Sequence, residues 1–474
     1  MKMQAGLFFP DSIFSLPLLR GLSLAVVAIF FTPTTSSFAQ SADTAQSRAA
    51  LDWQIELSHS ILSSRDFEFF LRVRVMAATD QSEYRQPLNL VIVFDRSGSM
   101  KEESKIGYLQ QAGHLVTDHL TKRDHVALVA YNDRVQVLVP MHRVVNKAYL
   151  HHRIEEVFAK GHTNLSGGLL EGCAQLHNRL DQPGLHHVIL LTDGLANRGV
   201  TNANSLVRLV GRCTQRGITV TTIGVGTEYN GTLLSRIAQA GGGRYAHVSK
   251  PDKIPDAFRQ ELGALLAVVA QNTRLKLKLP SGVTARQVFG RETPPKPSVV
   301  EIPLGDLTSG DARTMLIKLR TDAKAGATGP IDFRTTLTYD DIQEAQRIEL
   351  EQTVSIQRAR SGVVARKTSH VLAFAHLVEA VDRIALAVHG MDRKVAAEVL
   401  EFYRHDFPAL KQIARDSREQ DFYNKAFMFE HYVRDLQDLI KRGALHEHSK
   451  ERAALQKELH YRRYQMEHRG HHHQ

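Results

Sequence analysis

Asp95-Arg96-Ser97-Gly98-Ser99 sets a carboxylate and two hydroxyls at alternating positions, directly after the solid apolar run from Leu88 to Phe94. Hard divalent cations such as Mg²⁺ take oxygen ligands in near-octahedral geometry and keep some of their waters. One short Asp-x-Ser-x-Ser turn offers three such oxygens. Two more stand further along: Thr163 in Gly161-His162-Thr163-Asn164-Leu165, and Asp193 in Leu190-Leu191-Thr192-Asp193-Gly194. The five residues make a candidate metal centre. Because hydroxyls are neutral, the cation would stay under-neutralised, and a carboxylate from a partner would complete both its shell and its charge. Arg96 is no ligand. Its charge would either weaken cation binding slightly or favour an anionic partner.

Other chemistry is poorly supported. An Asp after a first strand can be a nucleophile in phosphoryl transfer, but that reaction calls for a second Asp two residues on, and position 97 is Ser. No GxxxxGK[ST], His-Glu-x-x-His or Gly-x-Ser-x-Gly sequence occurs. Gly224-x-Gly226 lacks the third glycine of a dinucleotide fingerprint. The reading is therefore non-enzymatic. The two cysteines, Cys173 and Cys213, fall in helical stretches flanking one strand and are a possible disulfide in an exported protein; two separate buried thiols are the alternative. The His-rich end, His471-His472-His473 included, reads as a solvated tail before it reads as a transition-metal site.

The elements that must position the five oxygens are strands alternating with helices. Strands are expected at Leu88–Phe94, His125–Tyr131, Val135–Val139, His187–Leu191, Ile218–Gly224 and Arg244–His247. Helices are expected at Lys105–Leu120, Ala148–Phe158, Gly167–Leu180, Ser205–Arg216, Thr232–Ala240 and Pro255–Val269. Apolar strands separated by helices imply an α/β fold, a doubly wound and mainly parallel sheet covered on both faces. The short Asn132-Asp133-Arg134 link makes one edge antiparallel. Ligands of such sheets bind at the carboxyl ends of strands near the topological switch, where Asp95 and Asp193 fall.

The flanks differ. Phe67, Phe69, Leu71, Val73 and Val75 alternate with polar residues, as do Leu275, Leu277 and Leu279; Met315–Leu319, Phe333–Tyr339 and Ile348–Val354 follow between turn residues. This pattern predicts a β-sandwich. Two strands before Leu88 cannot bury a core alone, so they are expected to complete the sandwich, leaving the α/β region inserted in it or flanked by it. From about Gly362 strand signals give way to helical periodicity, up to about Arg442.

These residues carry a resemblance. Asn89 to Met100 resembles the opening of a von Willebrand factor type A domain, in the variant of inter-alpha-trypsin inhibitor heavy chains and of bacterial proteins described as related to calcium-activated chloride channels. Gly161 to Leu169 and Leu190 to Gly194 resemble its second and third metal loops, and Ile223-Gly224-Val225-Gly226 its fifth strand. The resemblance covers roughly Leu88 to Val269 and implies a metal-ion-dependent adhesion site at Asp95, Ser97, Ser99, Thr163 and Asp193. By it, Ser97, Ser99 and Thr163 ligate Mg²⁺ through hydroxyls, with Mn²⁺ or Ca²⁺ as alternatives. Asp95 and Asp193 act directly or through water, and the open position takes an Asp or Glu of a protein partner.

The N-terminus supplies the cellular context. Lys2 and Arg20 are positive, Gly21 to Phe31 form a short apolar core, and Ser37-Phe38-Ala39 makes a cleavage site, so residues 1–39 read as a signal peptide. No later run is long enough for a transmembrane span, which argues against a pore. The chain of 474 residues is 43% hydrophobic with a formal net charge of +10, spread rather than clustered; it points to no specific nucleic-acid partner. The expected organisation is a signal peptide (1–39), N-terminal strands (40–86), the type A domain (87–270), the sandwich (271–358), a helical region (359–442) and a basic tail (443–474). The expected role is an exported binding protein of the periplasm or exterior, acting in adhesion or envelope assembly. The alternative is a scaffold whose metal site has no partner.

Overall fold

The structure, a computed structural model, describes residues 50–442 apart from 63–66, 80–84, 227, 290–297, 322–328, 359–367, 391 and 418; beyond 442 it describes 457, 458 and 461. The expected signal peptide and most of the tail lie outside the described residues.

The chain opens with β1 (Leu51–Leu57), the short β2 (Ile61–Leu62) and β3 (Phe67–Ala77). The α/β region follows as β4 (Leu88–Asp95), α1 (Lys105–His119), β5 (His125–Tyr131), β6 (Val135–Arg143), α2 (Lys147–Glu155), α3 (Leu165–Gln175), β7 (Leu185–Thr192), α4 (Ala203–Gln215), β8 (Ile218–Val225), α5 (Gly231–Ala240), β9 (Gly242–Val248) and α6 (Ile254–Leu266). Its six strands lie in the order β6-β5-β4-β7-β8-β9. All neighbours are parallel except β5 and β6. The antiparallel edge strand β6 tolerates Pro140, since an edge leaves one row of backbone groups unpaired.

Strands β4, β7 and β8 are buried along their whole length. That burial is why they read as unbroken apolar runs. Leu90, Ile92 and Phe94 of β4 face Leu109 and Val116 of α1 and Phe258 and Leu262 of α6. Val91 and Val93 point the other way, toward Leu169 of α3 and Val210 of α4. The chain runs from β4 to β5 on one side and returns to β7 on the other, so the switch point lies between the carboxyl ends of β4 and β7.

Six more strands follow: β10 (Val268–Lys278), β11 (Val283–Val288), β12 (Val299–Thr308), β13 (Ala312–Thr321), β14 (Ile331–Asp341) and β15 (Gln346–Arg358). They form two sheets, β1-β3-β13-β11 and β12-β10-β14-β15-β2. Strand β3 pairs with β13 from Phe67↔Thr321 to Met76↔Ala312, so the N-terminal strands do complete the sandwich. Phe69, Leu71 and Val73 meet Leu275, Leu277 and Phe333 in its core. The alternate residue Phe70, with Leu316, faces outward into a separate apolar core made by α7 (Ser369–Gly390), α8 (Arg393–His405), α9 (Phe407–Asp416) and α10 (Gln420–Lys441). The C-terminal helices therefore cover the outer face of the four-stranded sheet. Pro408 sits in the first turn of α9, where a missing N–H costs nothing.

The expected helix Pro255–Val269 needs correcting. Helix α6 ends at Leu266, and Val268 already begins β10, paired with Thr308 of β12. A short apolar run cannot be assigned to helix or strand by periodicity alone; here the backbone of β12 decides it. Strands β11 and β12 alternate only weakly, so the sequence does not mark them individually.

Candidate metal centre

Each expected ligand sits at the carboxyl edge of the six-stranded sheet. Asp95 is the last residue of β4, opposite Tyr131 of β5, and is fully buried. Its Oδ1 accepts from the Ser97 N–H at 2.8 Å, and its Oδ2 from the hydroxyls of Thr192 (2.6 Å) and Tyr131 (3.2 Å). Among the described residues no basic side chain pairs with it. Burial pushes its pKa up to about 6 against the pull of those hydrogen bonds.

The two serines link the loops. Ser97 Oγ lies 3.1 Å from Ser99 Oγ, and Ser99 Oγ donates to Asp193 Oδ1 at 2.7 Å. Asp193, just past the end of β7, is fully buried. Its second oxygen accepts from Lys105 Nζ at 2.7 Å. Thr163 completes the group from the loop before α3. A Cβ placed on Gly194 would lie 3.3 Å from Thr163 Oγ1 and 3.6 Å from Ser99 Oγ, so the hydroxyls from two loops converge beside Asp193.

Backbone bonds stitch these loops together. Gly98 N donates to Gly161 O at 2.9 Å and Lys160 N to Arg96 O at 2.8 Å. Gly161 has φ +77°, and a Cβ there would fall 2.1 Å from Asp133 Oδ2, so any other residue would be strained and would displace the Asp133 carboxylate. Asn197 Oδ1 accepts from Thr163 N at 2.8 Å, which ties the second loop to the segment after Asp193. Asn164 then caps α3 by accepting from Gly167 N.

The structure thus brings Asp95, Ser97, Ser99, Thr163 and Asp193 into one cluster. As a donor set it suits a hard divalent cation: oxygens only, two anionic, three neutral, from three loops. An ammonium already stands against one of the acids. Thr192, Tyr131, Asn197 and Lys105 join the site in the structure, although the sequence pattern does not single them out. Thr192 carried a signal, a hydroxyl beside Asp193 at the end of a buried strand. Lys105 carried none, because a lysine opening a helix normally marks a solvated face. Arg96 is mostly buried, its Nε has no hydrogen-bond partner, and burial lowers its pKa.

Cys173 on α3 and Cys213 on α4, weighed above as a disulfide, are buried free thiols here. Their closeness, with burial, pushes the Cys173 thiol up, and the same closeness pulls Cys213 down; Cys213 Sγ donates to Leu209 O at 3.5 Å. Sequence spacing places both helices on the same side of the sheet but cannot set the sulfur geometry.

Residues 89–260 match the family model of the von Willebrand factor type A domain. The chain contains a von Willebrand factor type A domain. Domains of this type commonly bind proteins through a metal-ion-dependent adhesion site. The chain is 27% identical over 292 residues to uncharacterized protein YfbK of Escherichia coli (strain K12), covering 56% of this chain and 50% of that one. It is 27% identical over 197 residues to human inter-alpha-trypsin inhibitor heavy chain H4, covering 39% of this chain and 21% of that one. It therefore spans about half the length of YfbK and less of H4. A solved structure, the von Willebrand factor type A protein from Catenulispora acidiphila, matches with a TM-score of 0.61 at 18% identity, over 83% of this chain and 91% of that one. The ArnB paralog VWA2 from Sulfolobus acidocaldarius matches with a TM-score of 0.56 at 16% identity, over 86% and 97%. These two likenesses reach beyond the type A domain itself and bear on the fold. No described helix is long and apolar enough to cross a membrane.

Proposed function

We propose that this protein is an exported, non-enzymatic binding protein that captures an acidic residue of a protein partner through a divalent cation on its type A domain. Asp95, Ser97, Ser99, Thr163 and Asp193 would hold the ion, Mg²⁺ with Mn²⁺ or Ca²⁺ as alternatives. The bound ion would supply an open Lewis-acidic position for a partner's Asp or Glu. The observation that carries this reading is the buried Asp95 carboxylate, which pairs with no basic side chain among the described residues, beside the convergent Ser97, Ser99 and Thr163 hydroxyls. Export rests on the N-terminal sequence, and the role is adhesion or envelope assembly.

The test is a pull-down from cell-envelope extract with the protein lacking residues 1–39, in Mg²⁺, in EDTA, and with Asp95→Ala in Mg²⁺. The expected result is a partner retained only by the unaltered protein in Mg²⁺, with metal affinity by calorimetry reduced at least about a hundredfold in the variant, since an anionic ligand is removed. A partner retained under all three conditions would sink the reading and move binding to the sandwich or helices. Metal binding with no partner would favour the scaffold alternative.

A further inference from the structure

Lys105 occupies a costly position. It is the first residue of α1, at the positive end of the helix dipole, where a cation is disfavoured and where the first turn holds no acid. Glu103 and Ser104 before it both adopt left-handed backbone conformations, φ 49° and 57°. Two consecutive non-glycine residues in that region are strained, and such strain persists only where the surroundings impose it. The lysine side chain is only 8% exposed. Its Nζ donates to Asp193 Oδ2 at 2.7 Å, while Glu102, itself largely exposed, stands off at 3.8 Å. Dipole, strain and burial all oppose placing an ammonium here, and the bond to Asp193 is what offsets them.

We propose that Lys105 couples metal binding to carboxylate binding at this site, an inference that rests on the metal reading above. Lys105 claims one oxygen of Asp193, leaving the other to Ser99 and the cation. It also sets the charge balance. Asp95 and Asp193 together neutralise a divalent ion, so the buried ammonium leaves the loaded site with one positive charge in excess. That excess weakens the ion on its own and is cancelled when a carboxylate enters. Without the ammonium the loaded site is neutral, and an incoming carboxylate would make it an anion. Removing the lysine charge therefore has opposite effects on the two ligands: the metal binds tighter and the carboxylate binds weaker.

The experiment measures Mn²⁺ affinity by calorimetry on the full chain, with and without acetate as the carboxylate probe, for the unaltered protein, Lys105→Met and Lys105→Arg. The unaltered protein and Lys105→Arg should bind Mn²⁺ weakly and gain affinity with acetate. Lys105→Met should bind Mn²⁺ about ten- to hundredfold tighter, as expected for removing a neighbouring buried charge, and lose the acetate effect. Lys105→Gln, which keeps a donor for Asp193 without the charge, should shift the same way and covers the case in which methionine unfolds the domain. If the neutral variants bind Mn²⁺ no tighter than the unaltered protein, the lysine proposal is overturned and the metal reading stands. If no form binds Mn²⁺, both fall. If only the neutral variants bind it, with or without acetate, Lys105 blocks the ion outright and the coupling proposal is overturned.

Discussion

Two carboxylate clusters in this molecule look alike by residue type and behave oppositely. One is the Asp95–Asp193 group at the edge of the six-stranded sheet. The other joins the four-stranded sheet to the C-terminal helices: Glu56 of β1, His370 of α7 and Glu419 before α10, whose ligand-capable atoms all lie within 4.8 Å of one another. By proximity alone the second is the more obvious metal site. Its charge is already answered. Arg72, nearly fully buried, sends Nη1 and Nη2 to the two oxygens of Glu419 at 2.8 and 2.9 Å, and Nε to Glu56 Oε2 at 2.9 Å. His370 Nε2 takes the remaining Glu56 oxygen at 2.8 Å. Every carboxylate oxygen is occupied, so the cluster is a fastener between sheet and helices. At the sheet edge, Asp95 has hydroxyls and a backbone N–H but, among the described residues, no basic side chain against it. The informative signal is an unbalanced acid, and clustering alone does not supply it.

The largest effect that would break this contrast is at Arg72. Arg72→Leu leaves two carboxylates together without their cation, and losing one partner of a buried pair typically costs ~3–5 kcal/mol. Glu56 and Glu419 keep 30% and 19% of their side chains exposed. About 2–3 kcal/mol is therefore expected in urea unfolding, with Mn²⁺ affinity unchanged. A loss of Mn²⁺ binding without loss of stability would reverse the roles assigned to the two clusters.

A third acid sharpens the comparison through pH. Glu261 of α6 is fully buried, and burial alone would raise its pKa. The His187 hydrogen bond and the Arg244 charge, with Thr221 donating to Oε1 at 2.7 Å, instead hold it down to about 2. A depressed acid adds stability that is fully present above its unfolded value, 4.5, and is lost as pH falls toward 2. Glu261→Gln should remove roughly 2 kcal/mol at pH 7 and flatten the decline in stability between pH 4.5 and about 2. An equally steep decline in the variant would mean that the acid limb belongs to other groups. Asp95, pushed the opposite way by the same burial, shows what the protein's own cations do for Glu261.

Much of this was legible in the sequence, for physical reasons that differ by region. β4, β7 and β8 read correctly because strands buried on both faces must be continuously apolar, and the loops at their ends drew attention by interrupting that run with Asp, Ser and Thr. The completion of the sandwich by β1 and β3 followed from an orphan alternating strand needing a partner. The α6–β10 junction did not read, since Val268 and Val269 suit a buried helix as well as a strand. Lys105 and Arg72 did not read either: sequence gives a charge but not its distance from another, and both lysine and arginine are exposed in most places. The Glu56–His370–Glu419 group was invisible because its members are more than 300 residues apart in part, as in the His370–Glu56 bond with its separation of 314.

The smallest effect lies in the support of Asp95. Thr192 Oγ1 makes the shortest of the three bonds to that carboxylate, 2.6 Å against 2.8 Å from Ser97 N and 3.2 Å from Tyr131 OH. Thr192→Val keeps the volume and removes the donor, leaving Oδ2 with the long tyrosine bond alone. The carboxylate form becomes harder to sustain and its orientation looser, so Mn²⁺ affinity at pH 7 should fall about tenfold, the value of one hydrogen bond to a charged group at the low end of its range. Thr222→Val is the control. Thr222 is equally buried, on β8, but its hydroxyl donates to Leu234 O. That substitution should reduce stability by about 1 kcal/mol and leave Mn²⁺ affinity alone. Equal effects of the two on Mn²⁺ would mean that the ion senses general packing of the sheet, and that Asp95 is not the acid it depends on.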